Sequence, residues 1–146
     1  MGWCVKKHLF GLCVALLVSA SVCADTPYPD TRQLSPDQFF DPAAYDDSWF
    51  TDDRDGNGVV DYAIRLDDQG YRVQEAMDFN FDGRMDDFYF YANDVLQREE
   101  IDSNYDGRID IWVFLYRGVY IRMWERDTDY DGIIDTREDY DERTSE

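Results

Sequence analysis

Beyond Ala24 the sequence contains no cysteine, no histidine and no lysine. Cys4, Cys13, Cys23, His8, Lys6 and Lys7 all fall in the opening stretch MGWCVKKHLFGLCVALLVSASVCA. That stretch sets two lysines before an apolar run from Leu9 to Val18 and closes on small residues, the layout of a secretory signal peptide cut before Asp25. The apolar run is too short to span a bilayer. The expected product starts at Asp25, has no transmembrane span, and is exported to the periplasm or secreted. The alternatives are a retained N-terminal anchor and a lipid on Cys23. Val22 stands where lipoprotein signals place Gly, Ala or Ser, which disfavours acylation. Without thiols or imidazoles there are no disulfide staples, no Ser-His or Cys-His catalysis, and none of the usual zinc or copper sites.

The loss of the two lysines leaves only arginines as basic residues, and the formal charge moves from −19 to −21. A chain this acidic is repelled by nucleic acid and by anionic membranes, and it repels itself unless counterions intervene. Yet 16% of the residues are aromatic, which argues against disorder. A small domain that buries those rings without a disulfide needs another source of stability. Bound cations would supply it.

Four segments share one design: DRDGNGVVD (53–61), DFNFDGRMD (78–86), DSNYDGRID (102–110) and DTDYDGIID (127–135). Each reads D-x-[DN]-x-[DN]-G-x-x-D, with Val60, Met85, Ile109 or Ile134 at position 8. Their starts are 25, 24 and 25 residues apart. Composition alone predicts about 0.01 such matches, so four at this spacing are a repeat. Calcium takes six to eight oxygen ligands, and a tight loop delivers side chains from positions 1, 3 and 5 and a carbonyl from position 7. Gly58, Gly83, Gly107 and Gly132 hold position 6, where the loop turns with φ > 0.

These segments resemble the EF-hand loop and the calcium-loop repeats of exported proteins such as dockerin and thrombospondin type 3 repeats. The resemblance implies up to four Ca2+ ions. The ligands would be Asp53, Asp55, Asn57 and Asp61; Asp78, Asn80, Asp82 and Asp86; Asp102, Asn104, Asp106 and Asp110; and Asp127, Asp129, Asp131, Asp135 and Glu138. An EF-hand closes with a bidentate glutamate at position 12, and only the fourth loop has one, Glu138. Ile64, Tyr89 and Val113 stand there in the others. The fourth site is therefore expected to be tightest, unless Glu75, Glu99 or Glu100 completes the second and third loops.

The segments between loops depart from helices. YAIRL (62–66), FYFYA (88–92) and IWVFLY (111–116) are aromatic and β-branched, and each meets a turn signal. YRVQEAM (71–77), VLQREEI (95–101) and VYIRMWER (119–126) then return toward the next loop. The expected fold is mainly β, an array of hairpins forming a meander joined by four EF-hand-like loops along one edge. Paired helical EF-hands are the alternative. The last segment, TREDYDERTSE, is polar and reads as a short helix or a frayed tail. Residues 25–50 form an arm outside the repeat domain of 51–146. In this arm Ser35-Pro36 and Asp41-Pro42 signal helical turns, and Phe39, Phe40, Tyr45, Trp49 and Phe50 are expected to dock on the sheet.

Three functions follow as expectations. The first is an exported calcium-binding protein whose ions stabilise the fold. The second is a calcium-rigidified adhesion or binding module with a protein or glycan partner, or self-association. The third is a periplasmic calcium sensor. No enzyme is expected, because every motif carboxylate is assigned to metal.

Overall fold

The computed structural model describes residues 39–140. The leader 1–24, the Ser35-Pro36 turn and residues 141–146 lie outside the described residues. Eight antiparallel strands form one sheet in strict sequence order: β1 Phe50–Asp52, β2 Tyr62–Leu66, β3 Arg72–Met77, β4 Asp87–Ala92, β5 Val95–Ile101, β6 Ile111–Tyr116, β7 Tyr120–Arg126 and β8 Thr136–Asp139. The meander is as the sequence predicts, and paired helices are not its plan. Strand choice follows side-chain type, since rings and β-branched residues fit a pleated surface.

The β4–β5 hairpin turns through a two-residue loop, Asn93 and Asp94, both with positive φ (50° and 63°), the twist-matched hairpin turn. The β6–β7 hairpin turns through residues 117–119, with Arg117 (54°) and Gly118 (74°) at positive φ. A bulge recurs at the same place in each hairpin, between Arg65 and Leu66, Phe90 and Tyr91, and Phe114 and Leu115. The repeat therefore extends into the irregularities of the sheet.

Two elements differ from expectation. Thr136–Asp139 is a strand against β7, with Arg137 opposite Glu125 and Glu138 opposite Trp124. The polarity of this segment reflects an edge strand exposed to water, not a helix. Phe50 lies in β1 and is 65% exposed, so it does not dock. Its neighbours in the arm do. Phe40 is buried with its ring edge-on to Phe88 at 5.2 Å, and Phe39 lies at 6.0 Å from the same ring. Ala63 and Ala76, both fully buried beside Phe88 in the register, leave the room those rings fill. Asp41 caps the 3-10 turn Pro42–Ala44 by accepting from the Ala43 N–H at 2.9 Å, as its Asp-Pro sequence predicts. The Met85 N–H donates to the Phe40 carbonyl at 3.0 Å, tying the arm to the second loop.

Candidate metal centre

All four acidic loops lie on one edge of the sheet, joining β1 to β2, β3 to β4, β5 to β6 and β7 to β8. Each is organised by its first aspartate, which collects N–H donors from the turn. Asp53 accepts from Gly56 (2.8 Å) and Asn57 (3.1 Å) on one oxygen and Gly58 (2.8 Å) on the other. Asp78, Asp102 and Asp127 likewise accept from Gly83, Gly107 and Gly132 at 2.8, 2.7 and 2.7 Å. The position-6 glycines have φ between 87° and 91°, as the motif requires. Position 4 is left-handed too: Gly56 takes it at 76°, while Phe81, Tyr105 and Tyr130 are held at 59°, 62° and 62°.

The ninth residue closes each loop from the other side. One oxygen of Asp61, Asp86, Asp110 and Asp135 accepts the N–H of position 2 at 2.6, 2.9, 2.8 and 2.9 Å. In loops 3 and 4 the hydroxyls of Ser103 and Thr128 also donate to the ninth aspartate, at 2.7 and 2.8 Å. These two residues escape a motif that leaves position 2 free; a hydroxyl there is the signal that could find them. In loop 1 position 2 is Arg54, and the second oxygen of Asp61 is buried without a hydrogen-bond partner.

The loops are also joined to one another. The first N–H of each later loop donates to the ninth carbonyl of the loop before: Asp78 to Asp61 (2.8 Å), Asp102 to Asp86 (2.8 Å) and Asp127 to Asp110 (2.9 Å). All six of these residues are buried, whereas the outermost members, Asp53 and Asp135, are exposed. The result is a ladder of adjoining carboxylates. Burial lifts the Asp86 carboxyl to about 6, with the charges of Asp78 and Asp102 adding to it against N–H donors from Phe79 and Asn80. Burial also raises Asp102. Exposed Asp135 is lowered instead, by the Thr128 hydroxyl.

Among the described residues two acidic triads could hold a metal ion: Asp53, Asp55 and Asp61, and Asp127, Asp129 and Asp135, each with oxygens within 4.8 Å of one another. Both use positions 1, 3 and 9. Loops 2 and 3 carry Asn80 and Asn104 at position 3, so the same arrangement offers two carboxylates and an amide. In loops 1 to 3 an asparagine amide donates across positions 3 and 5: Asn57 to Asp55 (2.9 Å), Asn80 to Asp82 (2.9 Å) and Asn104 to Asp106 (3.1 Å). Loop 4 has Asp129 and Asp131 there, with no amide between them.

Glu138 stands outside its loop's triad, exposed on β8 opposite Trp124. The glutamates upstream of loops 2 and 3 have other partners. Glu75 accepts from the hydroxyls of Tyr62 (3.2 Å) and Tyr91 (2.7 Å), and Glu100 pairs with Arg98 at 2.7 Å. Glu99 faces Tyr89 across β4 and β5 and is raised by burial. Beside it Asp87, which the motif does not flag, is buried, accepts the Tyr89 hydroxyl at 2.6 Å and is lifted by burial to about 7.

No protein-family model and no curated protein matches the chain. Among solved structures, "accessory secretory protein 1,2 and 3 in Streptococcus pneumoniae" is similar over 67% of this chain at 15% identity and a TM-score of 0.45. The aligned part spans 18% of that chain. A likeness of this degree says nothing about function. Among the described residues no helix is long and apolar enough to cross a membrane.

Proposed function

We propose that this is an exported calcium-binding protein in which up to four Ca2+ ions, one per loop, stabilise a repeat β fold. The observation that carries the proposal is the Asp61 oxygen, buried and unpaired within a triad of carboxylates. A buried carboxylate oxygen without a donor is costly, and a hard cation is the partner that satisfies it together with Asp53 and Asp55. Asn57 and the carbonyl at position 7 would complete an all-oxygen set, which suits calcium over softer metals. Four divalent ions would reduce the formal charge of −21 to about −13, relieving the repulsion along the ladder. Export, to the periplasm or the outside, fits the leader and a site class filled by ambient calcium.

Calorimetric titration of the metal-free protein with calcium tests this directly. Saturable binding with a stoichiometry between two and four is expected, together with a large rise in melting temperature. No binding at millimolar calcium would refute it. Micromolar sites would indicate sensing, and millimolar sites constitutive occupancy. A second reading, a calcium-rigidified module for a protein or glycan, draws on the exposed Phe79, Phe81, Tyr105 and Tyr130 along the loop edge. Glycan-array binding that vanishes on chelation would support it.

A further inference from the structure

We propose that the chain self-associates head to tail, the outer edge of β8 in one copy pairing with the outer edge of β1 in the next. The sheet is out of phase with its own repeat. Each hairpin consists of a strand that leaves one loop and a strand that enters the next: β2 with β3, β4 with β5, β6 with β7. β1 enters loop 1 with no partner before it, and β8 leaves loop 4 with no partner after it, among the described residues. The two edges are the separated halves of one further hairpin.

The register is set by the three complete hairpins. Position 12 of a loop lies opposite the residue three before the next loop: Ile64 opposite Glu75, Tyr89 opposite Glu99, Val113 opposite Trp124. Glu138 and Phe50 are the two remaining members of that series. Their pairing places Arg137 opposite Thr51 of the next copy and Thr136 opposite Asp52.

The hydrogen-bonding groups face the right way. Tyr140 donates to the Arg122 carbonyl at 2.8 Å, so by antiparallel alternation Tyr140, Glu138 and Thr136 face β7 while Arg137 turns outward. On the other edge the Asp52 carbonyl accepts from Asp61 at 3.0 Å, so Asp52 and Phe50 face β2 and Thr51 turns outward. Arg137 and Thr51 can therefore exchange two backbone bonds.

The loops make the same point independently. The bond from the first N–H of one loop to the ninth carbonyl of the loop before occurs three times within the chain. Its fourth occurrence would run from Asp53 of one copy to Asp135 of the previous one, the two ladder ends left exposed. The 65% exposed Phe50 ring would be covered by the β8 edge at the same time. Because the two patches differ, the contact is heterologous and passes from copy to copy, giving a ring where the rotation closes and an open filament where it does not. It also brings Asp53 and Asp135 together, so cations or high salt should favour it. The geometry does not depend on which cation fills the loops, and a salt arm keeps the two proposals separable.

The test is sedimentation velocity of the full chain as recovered from expressing cells, from about 10 µM to about 1 mM, the range suited to a short strand pairing. It is run in millimolar calcium and, separately, in chelator with about 1 M NaCl, where screening extends to roughly 3 Å. Concentration-dependent species beyond a dimer are expected. Thr51→Pro and Arg137→Pro each remove one outward N–H and should each leave a monomer. Mixed, they should form a 1:1 dimer and stop, since each retains one working edge. A wild-type chain that stays monomeric in both buffers overturns the proposal, as does either proline variant that assembles like wild type.

A cysteine pair covers the case in which proline disturbs folding. Mixed Thr51→Cys and Arg137→Cys chains should form an intermolecular 51–137 disulfide on oxidation, because residues so paired sit about 5.5 Å apart. Peptide mapping that finds no such link in the assembled fraction also overturns the proposal.

Discussion

Stripping cations from the ladder should make the protein more stable at mildly acidic pH than at alkaline pH, the reverse of what paired surface carboxylates give. The groups responsible are Asp86, lifted by burial from 3.8 to about 6, and Asp87, lifted by burial to about 7. Both are raised above their unfolded values, so the folded chain holds protons that the unfolded chain releases. Their contribution is fully present below about 3.8 and is lost as pH rises through 6 and 7. For Asp86 alone the change is on the order of 3 kcal/mol. Asp87 adds a comparable amount that is not independent, since the Asp86 charge contributes to its shift. Together they represent at least about 3 kcal/mol between pH 5 and pH 8, or roughly 10 °C or more in melting temperature for a domain of this size. The lowered carboxylates, Asp46, Asp94 and Asp135, act in the opposite sense but only below pH 4, outside that window. The assay is thermal melting by circular dichroism after exhaustive chelation, at pH 5 and pH 8, with and without calcium. Calcium should raise the pH 8 melt more than the pH 5 melt, each site adding about 2.7 kcal/mol at a hundred times its dissociation constant. A metal-free melting temperature that is flat or rises from pH 5 to pH 8 would refute the reasoning.

Phe40→Ala should cost about 3 to 5 kcal/mol in urea unfolding, because the ring fills the space above Ala63, Ala76 and Phe88. Asn80→Asp gives loop 2 the position-3 carboxylate that loops 1 and 4 have; calorimetry should show tighter calcium at that site, and chelated protein should melt lower. Tyr105→Asn replaces an exposed ring held at φ 62° by a residue that tolerates the left-handed region, so stability should be unchanged or higher by up to about 1 kcal/mol. Glu138→Gln should leave calcium affinity at loop 4 nearly unchanged if the side chain stays on the β8 row, whereas a bidentate ligand would lose it by tenfold or more.

The repeat carried most of the fold. Three of the eight strands follow from aromatic and β-branched runs, three more from the return of the chain after each turn signal, and the four loops from residues that only a tight acidic turn requires. β1 and β8 are not legible, because three or four largely exposed residues at a sheet edge have neither periodicity nor burial to betray them. Phe50 looked like a core ring for the same reason: nothing local distinguishes a ring that docks from one left at an edge. Phe40 was legible as a docking residue, but the small Ala63 and Ala76 that receive it gain meaning only once three strands are aligned. Ser103 and Thr128 were hidden in a position the motif leaves open. The ladder of carboxylates was hidden too, since adjoining loops are 16 or more residues apart in sequence and meet only through the sheet.

Glu138 shows how a motif can be complete in sequence and divided in space. In an EF-hand the twelfth residue swings back because the exiting helix carries it over the loop. Here the chain leaves the ninth residue as a strand, with alternate side chains on opposite faces and about 3.3 Å between residues. The twelfth side chain therefore stands on a sheet face three residues beyond the ninth aspartate, outside the carboxylate triad. Ile64, Tyr89 and Val113 occupy that row with Glu75, Glu99 and Trp124 between them, and Glu138 ends it. Loop 4 can still be the tightest site, but for a different reason. It alone has aspartates at positions 3 and 5, where the other loops offset a carboxylate with an asparagine amide. The charge available to an ion is then greatest at the ladder end that β8 leaves exposed.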